Sequence, residues 1–268
     1  MSVLRYRLVD INNNTYDLSP SDYFSIERND DKSSTEIKLV ERSNQAGAEV
    51  SGDPRDKSKE ISFSFNYCNQ DESDFRTFIN NLLYQFKKAV KIQDVINSIE
   101  TEIIFSDPSL KYDTGSVHKV VEGGIKCKQI TPYWRDINLT SHNINPDSNA
   151  YEYTINNTGW VETPSYIQVS LNSAISSIPD FTVRIKNTTF GINIQDSQFG
   201  INNLNYYQID NKDGICQIWD GLISPVDRTD KIYAGTGFFN LQIGIQTLQF
   251  INLQGASILL YYRNRYYL

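Results

Sequence analysis

Apolar and polar residues alternate along much of this chain, most cleanly at Ile61-Ser62-Phe63-Ser64-Phe65-Asn66-Tyr67. Ile61, Phe63, Phe65 and Tyr67 fall on one face, and Ser62, Ser64 and Asn66 on the other. A period of two with one apolar side predicts a strand with one buried and one wetter face, as in antiparallel sheets. Weaker versions precede it. Leu4, Tyr6 and Leu8 alternate with Arg5, Arg7 and Val9, and Asn12-Asn13-Asn14 reads as the turn that follows. Further strands are expected near Tyr23 to Arg28 and near Glu36 to Glu41. Arg42 to Ser58 is polar, holds Gly47, Gly52 and Pro54, and reads as a loop long enough to serve a partner contact.

The period changes after Tyr67. Phe75, Phe78, Ile79, Leu82, Leu83, Phe86 and Val90 recur at spacings of three and four, which predicts an amphipathic helix over about 74–90. Asp71, Glu72 and Asp74 crowd its start and Lys87 and Lys88 its end, and both biases complement the helix dipole. Such a helix covers one side of a sheet. Strands are expected again at Glu102 to Phe105 and Val117 to Thr131. In the second of these, Gly123-Gly124 is expected to mark a bulge or bend, and Pro132-Tyr133-Trp134 closes it.

Residues 137–150 are rich in Asn and Ser, carry Pro146, and read as a linker between a domain at 1–136 and a second at 151–268. The second half repeats short strand patterns, among them Tyr166 to Leu171, Tyr206 to Asp210, Ile215 to Trp219 and Ser257 to Tyr267. Thr158-Gly159 and Asp213-Gly214 stand among the turns between them. Many short strands with regular turns and no helix predict a β-sandwich. A mainly β protein follows, with one packed helix in its first half.

Composition narrows the function. With 268 residues there is room for two domains. Tyr and Phe are abundant, which suits strands and interfaces. The formal net charge of −7 and the lack of a Lys/Arg cluster argue against tight nucleic-acid binding. Cys68, Cys127 and Cys216 are scattered, which argues against a disulfide scaffold and suits a reducing cytoplasm. Neither a signal peptide nor a membrane-spanning apolar run is legible, so no membrane insertion is expected.

The chemistry-bearing residues do not assemble. His118 and His142 lack partners at zinc-ligand spacing. Asp210-Asn211-Lys212-Asp213-Gly214 has Lys212 where a calcium loop needs an oxygen, and reads as a hairpin turn. Gly255-Ala256-Ser257 lacks the final glycine of a nucleophile elbow. No catalytic, cofactor or metal site is expected. Tyr133, Trp134, Trp160 and Trp219 read either as packing or as platforms on which sugar rings stack. The second reading would make the chain a carbohydrate-binding β-sandwich protein for host or cell-surface attachment.

Taken in order, these features resemble the distal tail proteins of phages with long, flexible tails and of phage-tail-like particles. In the first half the resemblance rests on Gly47-Ala48-Glu49-Val50, the strand Ile61 to Tyr67, the helix, and Pro132-Tyr133-Trp134. In the second it rests on Asn157-Thr158-Gly159 with Pro164, Tyr207-Gln208-Ile209-Asp210, Phe238-Phe239-Asn240-Leu241 leading to Gly244, and Leu260-Tyr261-Tyr262-Arg263. The resemblance implies a split β-barrel with a helix, followed by a galectin-like β-sandwich. It implies a structural, non-enzymatic virion protein, made in the host cytoplasm, that forms a ring of six at the tail tip or baseplate. Its partners would be its own copies, the tail tube protein, a tail tip or tail-associated hub protein, and a receptor-binding protein. Pro132, Tyr133, Trp134, Gly159, Pro164, Phe238 and Phe239 would be structural motif residues. Gly47, Ala48, Glu49 and Val50 would be a candidate subunit interface.

Overall fold

Period-two segments become strands, and the single period-3.6 segment becomes the helix packed on them. The structure, a computed structural model, describes residues 5–19, 24–29, 39–41, 48–50, 60–69, 71–113, 119–131, 133–171, 177–201, 206–219 and 225–266. The chain divides into two compact units that meet in sequence between Ile137 and Asn138.

The first unit holds β1 (Tyr6–Asp10), β2 (Thr15–Leu18), β3 (Phe24–Asn29), β4 (Leu39–Glu41), β5 (Ala48–Val50) and β6 (Glu60–Asn69). It continues with α1 (Glu72–Lys88), β7 (Ala89–Asp94), β8 (Ile99–Asp113), β9 (Lys119–Gln129) and β10 (Trp134–Asp136). Its strands run in the order β2-β1-β7-β8-β9-β6-β3, and β10 pairs with the start of β8. Each pairing in this path is antiparallel. On β6, Ile61, Phe63, Phe65 and Tyr67 are buried while Ser64 and Asn66 are exposed, as the alternation requires.

The helix lays Phe75, Ile79, Leu82 and Phe86 on that face. The join is aromatic: Phe86 meets Phe63 at 5.8 Å, Phe78 stacks on Tyr67 at 4.0 Å, and Phe24 edges Phe78 at 5.0 Å between ring centroids. Burying one such ring contributes roughly 1.5–3 kcal/mol. Asp71 caps the helix, its carboxylate accepting the Asp74 N–H at 3.0 Å. The helix is therefore shifted from the expected 74–90. Ala89 turns extended (φ −65°, ψ 134°), and Val90 passes into β7.

Gly123-Gly124 is not a bulge, because β6 and β9 pair without a break from Glu60↔Lys128 to Asn69↔Lys119. Gly123 faces the core, where a Cβ would lie 2.5 Å from the Phe65 ring, so the glycine makes room for the aromatic. The irregularity sits in β8, between Phe105 and Pro108, where the proline lacks a ladder N–H.

The second unit holds β11 (Thr140–Ile144), β12 (Ala150–Asn157), β13 (Thr163–Ser170), β14 (Asp180–Ile185), β15 (Gly191–Gln195), β16 (Tyr206–Asp210) and β17 (Ile215–Trp219). It ends with β18 (Val226–Asp227), β19 (Asn240–Leu241), β20 (Gly244–Ile251), β21 (Ser257–Tyr262) and β22 (Arg265–Tyr266). One antiparallel sheet runs β11-β21-β13-β16-β17-β18, with β19 on β13. The other runs β12-β20-β14-β15. Alternate residues of both sheets enter one core that includes Ile167, Tyr207, Ile218, Val183, Leu248 and Phe250. This is a sandwich built by strict alternation.

The stretch read as a linker at 137–150 is corrected by β11, which pairs with β21 and buries Ile144. Its polar residues concealed it: His142, on the inward side, sits between Tyr153 and Tyr262.

Candidate interaction surfaces

Trp134 opens β10 and is fully buried, with the Arg28 guanidinium 4.7 Å from its ring centroid. Tyr133, next to it, is half-buried, and its carbonyl accepts from the Thr101 and Thr131 hydroxyls at 3.2 and 3.3 Å. Pro132 lies outside the described residues. Arg135 fixes β10 to β8 through Glu100 at 3.2 Å and Glu102 at 2.9 Å, and Lys91 approaches the same buried Glu100 at 3.6 Å. The end of the first unit is thus anchored by a buried ring and a charge cluster.

In the second unit the motif residues gather around β19. Thr163-Pro164 pairs with Leu241 and Asn240. The Asn157 amide donates to the carbonyls of Val161 and Leu241 at 3.2 and 3.3 Å, and its oxygen accepts the Gly159 N–H at 3.0 Å. A Cβ on Gly159 would lie 2.6 Å from the Arg265 carbonyl oxygen, so only glycine lets the two backbones approach. Asn211, the buried turn residue after β16, donates to the Ser165 carbonyl and hydroxyl and accepts the Phe239 N–H at 3.0 Å. Phe239 is buried and Phe238 is partly buried against the same core. The motif therefore consists of buried backbone-tying amides and core rings. Pattern reading missed the Asn211–Ser165 tie and the Asn157 tie to Leu241, because only the fold of the strands brings these partners together.

Ala48, Glu49 and Val50 form β5, which pairs with β4 from Leu39↔Val50 to Glu41↔Ala48, so this part of the expected loop is strand. Gly47 lies outside the described residues. On the outward side of β6, β9 and β8, the small residues Ser64, Gly124 and Ser109 share a rung. They floor a shallow depression of about 260 Å³ edged by Asn66, Glu122 and Lys111.

The aromatic residues singled out for stacking separate by environment. Trp134 is core, Trp160 is 59% exposed and edges Tyr266 at 6.2 Å, and Trp219 is half-buried on an outward sheet face. His118 lies outside the described residues, and burial lowers the pKa of His142. Among the described residues no cluster of His, Cys, Asp or Glu could hold a metal ion, and no helix is long and apolar enough to cross a membrane. All three cysteines are free. Burial pushes the Cys127 and Cys216 thiols up to about 12, while Cys68 is half-buried.

No protein-family model matches the chain, and no curated protein sequence matches it. A solved structure does. The Dit protein (gp 19.1) of SPP1, described as a paradigm of the hub adsorption apparatus in phages that infect Gram-positive bacteria, aligns with a TM-score of 0.66. The alignment covers 97% of this chain and 98% of that one, at 11% identity. The chain shares the fold of SPP1 Dit. The phage P2 baseplate in its activated conformation with calcium aligns at a TM-score of 0.48 and 11% identity, over 97% of this chain and 98% of that one. The Dit likeness spans both units, so it covers the helix-bearing sheet as well as the sandwich.

Proposed function

We propose that this protein is a structural hub of a phage tail or tail-like particle, located at the tail tip or baseplate. The observation that carries this reading is the end-to-end fold likeness to SPP1 Dit, a hub adsorption protein. A shared fold does not by itself fix function. Here the likeness runs through both units, and His142, Cys127 and Cys216, among the residues considered for chemistry, are taken up in packing. In this reading the protein performs no catalysis and needs no cofactor.

The finer proposal is a ring, sixfold, joining the distal end of the tail tube to the baseplate or tip. Rings need head-to-tail contacts between unlike patches. The first unit would supply them, with the segment around Gly47-Ala48-Glu49-Val50 reaching a neighbour. Tail tube protein, a tail tip or tail-associated hub protein, and a receptor-binding protein would dock around it. An acidic chain of net charge −7 gives passing DNA no counterion-release gain, so the channel would let a genome slide.

Light scattering and negative-stain imaging of the purified protein test the ring. A closed cyclic particle is expected; a strict monomer at high concentration and beside its tail partners overturns it. Filter binding with duplex DNA at low salt tests the channel. Sub-micromolar binding that weakens steeply with salt would make the protein a DNA-gripping element instead.

A further inference from the structure

The two sheets of the sandwich turn unlike faces outward. The β12-β20-β14-β15 sheet presents ions and their partners. Lys186, just past β14, pairs with Glu152 at 2.7 Å, and the Arg184 guanidinium donates to the Gln249 oxygen at 2.9 and 2.7 Å. This is an ordinary solvated strand face. The opposite sheet differs. No Lys or Arg occupies an outward position within β21, β13, β16 or β17. Instead Tyr261, Tyr166, Tyr206 and Trp219 stand on four adjacent strands, all half-buried and all on the same side. Between them one rung is carboxamide on three of the strands: Gln168 faces Gln208, which faces Gln217, with Leu259 of β21 and Asp227 of β18 at its two ends.

Gln208 orders the rings. Its amide oxygen accepts the Trp219 indole N–H at 2.6 Å, and its nitrogen donates to the Tyr166 hydroxyl and to the Tyr206 hydroxyl, the latter at 3.3 Å. Tyr206 edges Trp219 at 6.4 Å, and Tyr166 lies against Tyr261 at 5.8 Å. The rings are held before any ligand arrives, so little side-chain entropy remains to be lost on binding. Gln168 and Gln217 make no side-chain hydrogen bond among the described residues.

This inventory selects a ligand. Aromatic faces take the C–H faces of a pyranose ring, and carboxamides both donate to and accept from hydroxyls. The absence of cations disfavours a phosphorylated or acidic ligand. A protein hot spot calls for an apolar anchor sealed from water. A row of amides across the middle of the face instead suits a partner that brings hydroxyls at every step. At about 4.8 Å between strands, four strands give the ladder a span of about 14 Å, room for a few sugar rings. We propose that the outward face of β21-β13-β16-β17 binds a neutral glycan chain, with Trp219, Tyr206 and Tyr166 as stacking platforms and Gln168 and Gln217 as hydroxyl-binding amides. The site belongs to the second unit and does not depend on ring formation, which is measured separately.

The test uses the full chain on an array of neutral hexose and N-acetylhexosamine oligosaccharides beside sialylated, uronate and phosphorylated ones. Native electrophoresis through gels containing the best-retained neutral glycan then gives an affinity. Binding to at least one neutral glycan is expected, weakened at least tenfold by Trp219→Ala and by Gln217→Arg, and unchanged by Glu152→Gln on the other face. Gln217→Arg removes no ring and no core side chain, so with an unchanged melt it separates lost binding from lost folding. Retention of anionic glycans alone, of none, or equally by the wild type and Gln217→Arg would overturn the proposal. Capture of a protein by this face without glycan retention would also overturn it.

Discussion

The two units bury a sheet in different ways. In the first, one helix must cover a wide face with a single stripe of side chains. It does so with large rings in two groups: Phe86 meets Phe63, while Phe75 and Phe78 meet Tyr67, with Phe24 linking Phe78 to Phe65. In the second, two sheets face one another and each supplies every other residue, so branched aliphatic chains fill most of the core. Aromatics are the minority there; Phe181, Phe199 and Tyr207 touch one another as a local trio, while Phe239, Phe250 and Tyr262 also enter that core. A covering element that offers fewer side chains needs bigger ones, and each carries more of the core.

The largest test of that contrast is Phe63→Ala, which removes a ring that touches both Tyr6 and Phe86. It should cost about 3–5 kcal/mol, read in chemical denaturation, with hydrogen exchange rising in first-unit peptides. A loss below that of Ile209→Val in the sandwich, which should cost about 0.5–1.5 kcal/mol, would break the comparison. Next comes Gly123→Ala, whose Cβ would sit 2.5 Å from the Phe65 ring. Overpacking there should cost about 1–3 kcal/mol. Gly124→Ala, with its nearest contact at 3.8 Å, should be neutral or slightly stabilising in the same melt. Asp71→Ala removes the cap of the covering helix and should cost about 1 kcal/mol, with exchange rising first at the amide of Asp74.

The smallest effect belongs to the sandwich edge. Burial lowers the His142 pKa from its ordinary 6.5, so the unfolded chain binds its proton more readily. Its stabilising contribution is complete above pH 6.5 and is lost as pH falls below that value. An NMR titration should place the His142 midpoint under 6.5; a midpoint above it would mean that the imidazolium, not the neutral ring between Tyr153 and Tyr262, is favoured.

Strand β6 and the helix were legible because their alternation and three-to-four spacing are unbroken. The mainly β character of the second half followed from its many short apolar runs. Less regular elements escaped. β11 is mostly polar, with Ile144 as its buried apolar residue, and composition alone reads such a segment as linker. Gly123 looked like a break because glycine weakens strands, yet here it is the vacancy that a ring across the ladder fills. Of the outward ladder, Trp219 was visible as a single aromatic. Its relation to Gln208, Tyr166 and Tyr206 depends on registers between strands up to about 50 residues apart in sequence, which period-two parity does not encode. The ties of Asn157 to Leu241 and of Asn211 to Ser165 were hidden for the same reason.

The distribution of thiols gives the protein a built-in handle for chemistry. A maleimide reacts with thiolate, and at neutral pH Cys127 and Cys216, sealed in the two cores with pKa values near 12, supply almost none. Of the chain's three cysteines this leaves Cys68, near the end of β6, to take a dye. The native sequence thus accepts one fluorophore per chain without engineering. The bleaching steps of a single labelled particle then count the chains it holds, whether one or several.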